Sequence, residues 1–183
     1  MALMESINIP LGSPMPNFEL TDPFGKKHAS DDMYGLKGLL VVFTCNHCPY
    51  AQAVWERVIN LARFGENNGI NTVAINPNIN PNYPDDAPEA MKTKINELGI
   101  FFPYLVDESQ NSAREFKAQC TPDLYLFNAE HALVYHGRID DNWKDPKAVT
   151  RQELKEAMQN LVDGKPIDAA QKPSMGCSIK WRS

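Results

Sequence analysis

The chain has 183 residues, 43% of them hydrophobic and 22% charged, with a formal net charge of −5. That length suits one domain with a sizeable core, and an acidic balance without a basic patch excludes a general nucleic-acid or anionic-membrane binder. No run approaches the ~18 consecutive apolar residues of a membrane span, and the opening MALMESINIPLGSPMPNFEL, acidic at Glu5, lacks the basic and apolar regions of a secretory signal. The expected compartment is the cytoplasm, where permanent disulfides are rare. Four cysteines there read as redox or metal chemistry before structural staples.

Along the chain, NFELTDPFGKKHAS alternates around a Pro-Phe-Gly turn and predicts a short hairpin, about 16–30. The continuous apolar run 39–43 suits a central strand buried on both faces. Past Pro49, apolar residues recur at Ala51, Val54, Val58 and Leu61, the spacing of a helix that ends near Gly65 or Gly69. INTVAIN is a second strand. The proline-rich stretch 76–84 is read as a solvated loop, and a helix is expected over 88–98. FFPYLVD predicts a third strand, ESQNSAREFKAQ a helix, and DLYLFNAEHALVYHGRID two strands joined by a turn at 128–130. Thr150 and Glu153 form a capping-box pattern opening a last helix that stops at Gly164. The tail, about 165–183, lacks periodicity and is expected to be irregular, with Ile179 and Trp181 as anchors. Alternating βα units followed by a hairpin and helix predict an α/β fold: a mixed central sheet with helices on both faces, in a single domain over 1–183.

The chemistry centres on VVFTCNHCPY. Cys45 and Cys48 stand two residues apart where a strand runs into a helix, and free N–H groups at that junction stabilise a thiolate. Such spacing also permits a reversible disulfide. His47, between them, would favour the thiolate when protonated and so tune its pKa. A metal site is the rival reading, with Cys45, Cys48, Cys120 and Cys177 as ligands or with His47, His131 or His136 substituting. Pro49 leaves the frame open. A helix capped at Cys45 would put proline at its fourth position, whereas a cap at Cys48 would put it at the favoured first. Thr121-Pro122 closes the gap between a helix and the strand LYLF; spacing alone suggests an ordinary turn.

The motifs VVFTCNHCPY, FPYLVDES, CTPDLYLFNAEHALVYHGRIDD and GCSIKW together resemble the thioredoxin fold, in its peroxiredoxin-like, alkyl-hydroperoxide-reductase (thiol-specific antioxidant) branch. The resemblance implies that Cys45 is an exposed nucleophile, Cys48 its resolving thiol, and Pro122 a cis proline that, with Thr121, faces substrate. It also makes Cys120 and Cys177 candidates for a resolving thiol. True peroxiredoxins carry a threonine three residues before the peroxidatic cysteine. Here Thr44 lies four before Cys48 and one before Cys45, out of register; no arginine matches the active-site position, and Arg138 is a candidate by proximity in the pattern alone. The leading expectation is a cytoplasmic thiol–disulfide oxidoreductase without cofactor, recycled by a thiol donor such as a thioredoxin or glutathione system. A thiol peroxidase and a metal-binding thiol module are the alternatives. Neither nucleic acid nor membrane is an expected partner.

Overall fold

A strand as apolar as residues 39–43 is stable only where both of its faces are covered, and its neighbours supply that cover. The computed structural model describes residues 3–182; Met1, Ala2 and Ser183, the ends of the expected domain, lie outside the described residues. In chain order the elements are β1 (Leu3–Glu5), β2 (Glu19–Thr21), β3 (Lys27–Ala29), β4 (Gly38–Phe43), α1 (Pro49–Asn67), β5 (Ile70–Asn76) and α2 (Pro88–Leu98). There follow β6 (Tyr104–Val106), α3 (Asn111–Glu115), β7 (Cys120–Thr121), β8 (Asp123–Asn128), β9 (Leu133–Gly137), α4 (Glu153–Asp163) and β10 (Met175–Ser178).

Seven strands form the central sheet in the order β3-β2-β6-β5-β4-β8-β9. β4 pairs parallel with β5 and antiparallel with β8, so the sheet is mixed. Its side chains alternate between two cores. Leu40 and Val42 pack with Val54, Trp55 and Val58 of α1 and Leu154 and Met158 of α4. Leu39, Val41 and Phe43 pack on the other face with Phe116, Tyr125 and Ala113 of α3. Helices thus cover both faces, and the chain has the thioredoxin-like architecture. Leu40 is wholly buried at the centre of this arrangement. Leu40→Ala is expected to cost about 2–5 kcal/mol of stability, seen as a lower urea midpoint at unchanged slope; a loss under about 1 kcal/mol would mean the sheet collapses into the space.

Three local expectations are corrected. The stretch 108–119 yields only the short α3, which ends at Glu115, two residues before a Lys117 whose φ is +56°. The capping box does not form: Thr150 donates instead to Asp141, and Glu153 pairs with Arg138, leaving Gln152 as the cap residue. The tail is not wholly irregular, because β10 lies within it, between β1 and β7 in a second, three-stranded sheet. Four residues without alternation carry no strand signal of their own; partner edges impose the conformation. Ile179 is buried, while Trp181 remains 41% exposed under the Arg114 guanidinium.

Candidate active site

β4 delivers the chain to Thr44, and the helix that follows begins at Pro49 with Cys48 as its cap residue. Proline at the first helical position has no N–H to waste and a φ already suited to the helix, which explains why this frame prevails over a cap at Cys45. Cys48 therefore occupies the positive end of α1, a helix of 19 residues. All four cysteines are buried. The expectation of an exposed Cys45 is thus not met: its exposure is 0%.

The electrostatics divide the pair. Cys48 is lowered to about 5, chiefly by the neighbouring Cys45 thiol, with burial opposing and the Cys177 thiol and backbone adding to the effect. The N–H of Ala51 contributes too, without reaching full capping geometry. Cys45 is pushed well above its ordinary value by burial, by its contact with Cys48 and by the Asp86 charge. Its Sγ lies 3.2 Å from the Thr121 hydroxyl. When neutral, Cys48 donates to the Thr121 carbonyl oxygen, 3.2 Å away, and that oxygen resists ionisation. Two thiol donors and the helix terminus outweigh it. The groups that lower Cys48 differ from the one expected, because His47 turns its Nδ1 to Asp86.

Asp86 is the residue that sequence reasoning missed. It lies just past the stretch read as solvated, and within that stretch Asn76, Asn78 and Ile79 are buried, as is Asp86 itself. One carboxylate oxygen accepts from the Asn46 N–H at 2.6 Å and from the Asn76 amide at 3.1 Å; the other holds His47. The Asn46 amide returns a bond to the Asp85 carbonyl at 2.7 Å and accepts from the Tyr104 hydroxyl at 3.0 Å. The loop from 77 to 87 is therefore the brace of the Cys-Asn-His-Cys turn. Donor atoms of Cys45, His47 and Asp86 also lie within 4.8 Å of one another. Both Asp86 oxygens are already engaged, so a metal there would have to displace the bonds that fix the turn.

Thr121-Pro122 is a cis peptide beside the two thiols. The Cys120 sulfur lies 3.5 Å from the Pro122 carbonyl oxygen, and burial, then the Asp123 charge and the nearby Cys48 and Cys177 thiols, push it far up. Arg138 is bound to Glu153. His131 stacks on Tyr34 at 3.7 Å, and His136 contacts Asp123 at 2.8 Å while stacking on Tyr125. Among the described residues no helix is long and apolar enough to cross a membrane.

Comparison with known proteins agrees with this fold. Residues 11–136 match the AhpC/TSA family. No curated protein matches the chain. An uncharacterized conserved protein from Geobacillus kaustophilus has a similar structure, with 38% identity and a TM-score of 0.94, over 100% of this chain and 97% of that one. A hypothetical protein from Sinorhizobium meliloti 1021 gives 35% identity and a TM-score of 0.92, over 98% of both. A secreted Mycobacterium tuberculosis disulfide oxidoreductase, homologous to Escherichia coli DsbE, shares the fold at 17% identity and a TM-score of 0.60, over 78% of this chain and 94% of that one.

Proposed function

Because the chain belongs to the AhpC/TSA family, and is thereby a thioredoxin-fold redox protein, we propose that it is a thiol–disulfide oxidoreductase whose nucleophile is Cys48. The carrying observation is the position of Cys48 at the start of α1 with two thiols directed at it. The Cys48 thiolate attacks a substrate disulfide, forming a mixed disulfide and releasing one substrate thiolate. Cys45 then gives up its proton and attacks the Cys48 sulfur, which releases the second thiolate and leaves a Cys45–Cys48 bridge. Two electrons pass to substrate, and a thiol donor such as a thioredoxin or glutathione system restores them. This reverses the roles first expected of the pair. The cytoplasm, where exchange pairs outnumber structural disulfides, fits such a cycle.

A peroxidase would use the same frame, since Cys48-Pro49 caps the helix as a peroxidatic cysteine would. The position three before Cys48 is Cys45 rather than threonine, and Arg138 is tied to Glu153, so groups to hold a peroxide are not in place. The test sets the two substrates against each other. The reduced protein should exchange with a small disulfide rapidly and react with hydrogen peroxide no faster than a free thiolate. A peroxide rate far above that, with sulfenic acid trapped at Cys48, would overturn the proposal.

A stabilised thiolate also stabilises the dithiol form. The expected reduction potential, from equilibration with glutathione, therefore lies above the roughly −270 mV of thioredoxin. A value at or below that figure would show that ionisation of Cys48 does not govern the couple.

A further inference from the structure

β7 has one edge that borders the reactive thiols, and it is not open. β10 pairs with it antiparallel, placing Cys177 opposite Thr121 and Ser178 opposite Cys120. The approach is close enough to require glycine: a β-carbon on Gly176 would fall 2.1 Å from the Thr121 carbonyl oxygen. Cys177, thus delivered, directs both its side chain and its backbone to Cys48. Cys45, Cys48, Ala51 and Cys177 form one small buried cluster with Tyr50 against it. Both ends of the strand are tied down, Ser6 with Ser174 on one side and Lys180 to Asn78 on the other. An extended peptide carrying a cysteine is the natural occupant of such an edge, since backbone pairing aligns its sulfur with the thiolate. Here the chain's own tail fills that position.

We propose that Cys177 is a third redox-active thiol, a latch: its disulfide with Cys48 fastens β10 over the site and holds the protein in an inactive oxidised state. The proposal rests on the reading of Cys48 as the exchanging thiolate. At the mixed disulfide between Cys48 and substrate, two thiols face the same sulfur. If Cys45 attacks, the cycle is completed. If Cys177 attacks, it loses its proton, forms the Cys48–Cys177 bond and expels the same substrate thiolate, so the electron count is identical but the strand is now covalently held. The trigger is built in. The Cys177 thiol is raised to about 12 by burial and then by its contact with the Cys48 thiolate; consuming that thiolate in a mixed disulfide removes the second cause. Without the bond, β10 is held by three paired residues on β1, two on β7 and the hydrogen bonds at its ends, a short strand that can open locally between those anchors. A thiol donor reopens the latch by reducing it.

The experiment treats the reduced full-length protein with oxidised glutathione, quenches in acid and maps disulfides by mass spectrometry. Wild type should yield Cys48–Cys177 beside Cys45–Cys48, and Cys45→Ser should yield Cys48–Cys177 alone. If Cys45→Ser instead stops as a persistent Cys48–glutathione adduct, the latch is overturned and the exchange reading survives. If Cys48 is never modified, both fail. Gly176→Ala tests the strand with every sulfur retained. It should lose the Cys48–Cys177 bridge and alkylate at Cys48 at least about tenfold faster, because local opening sets access to a buried group. An unchanged bridge and alkylation rate in that variant would also overturn the latch.

Discussion

Cys48→Ser is expected to lower disulfide exchange by about a thousandfold or more, to the uncatalysed level, because the attacking sulfur is gone. The same substitution should abolish a thiolate absorbance step near 240 nm with its midpoint at about pH 5. The magnitude does not come from faster attack. A free thiol of pKa ~8.5 is about 3% ionised at pH 7, so full ionisation gains about thirtyfold, while the accompanying fall in nucleophilicity takes back about the same factor. What Cys48 gains is departure. As a low-pKa leaving group it is released readily when the donor attacks its disulfide. Exchange should therefore be flat from about pH 6 upward and fall tenfold per unit below the midpoint near 5. Cys45→Ala removes the strongest influence on Cys48 and should move the midpoint upward. Cys45→Ser, whose hydroxyl still donates, should move it less. The sign for stability follows from the same shift. Between about 5 and the ordinary 9.0 the folded thiol carries fewer protons than the unfolded one, so its contribution is full above that window and gone below it. A midpoint near the ordinary thiol value, or Cys48→Ser exchanging as fast as wild type, would remove Cys48 from the proposed role.

The residues that announced themselves in the sequence are those whose structure follows from local pattern. Residues 39–43 are apolar without a break and became β4; INTVAIN became β5 at those same bounds; the spacing from Ala51 to Leu61 became the inner face of α1. The thiols were legible as a pair, but not their order, since Pro49 favours a cap at Cys48 without fixing the path of residues 44–47. That path is set by Asp86, about forty positions away and just past a proline-rich stretch whose composition reads as solvated loop. No periodicity marks a lone carboxylate that acquires its partners only through tertiary contact. The adjacency of buried asparagines, Asn76 and Asn78, to that loop was the one available signal, and polar residues there looked like exposure. β10 was hidden for the same reason: its pairing partners, β1 and β7, are themselves too short to be read.

Asp86→Ala is expected to destabilise the fold by about 3–5 kcal/mol, because three buried groups lose one shared acceptor. The Asn46 N–H, the Asn76 amide and the His47 Nδ1 side all lose their acceptor at once. Each unsatisfied buried group costs about 1–3 kcal/mol, and because the three share one acceptor the losses do not simply add. Asp86→Asn keeps one oxygen for the two donors but presents an amide N–H to His47. That ring must then accept at Nδ1 and carry its proton on Nε2, which is buried without a partner. The asparagine variant should therefore be weakened as well, though less than the alanine. It offers a readout that simple destabilisation would not give. The Asp86 charge is one of the causes that push Cys45 up, so its removal should lower the Cys45 pKa and speed Cys45 alkylation in mildly alkaline buffer. Urea unfolding at constant slope measures the first effect and residue-resolved alkylation the second. If Asp86→Ala unfolds within about 0.5 kcal/mol of wild type, a surface-like cost, the loop does not brace the turn, and the order of the two cysteines must be fixed by Pro49 and the helix terminus alone.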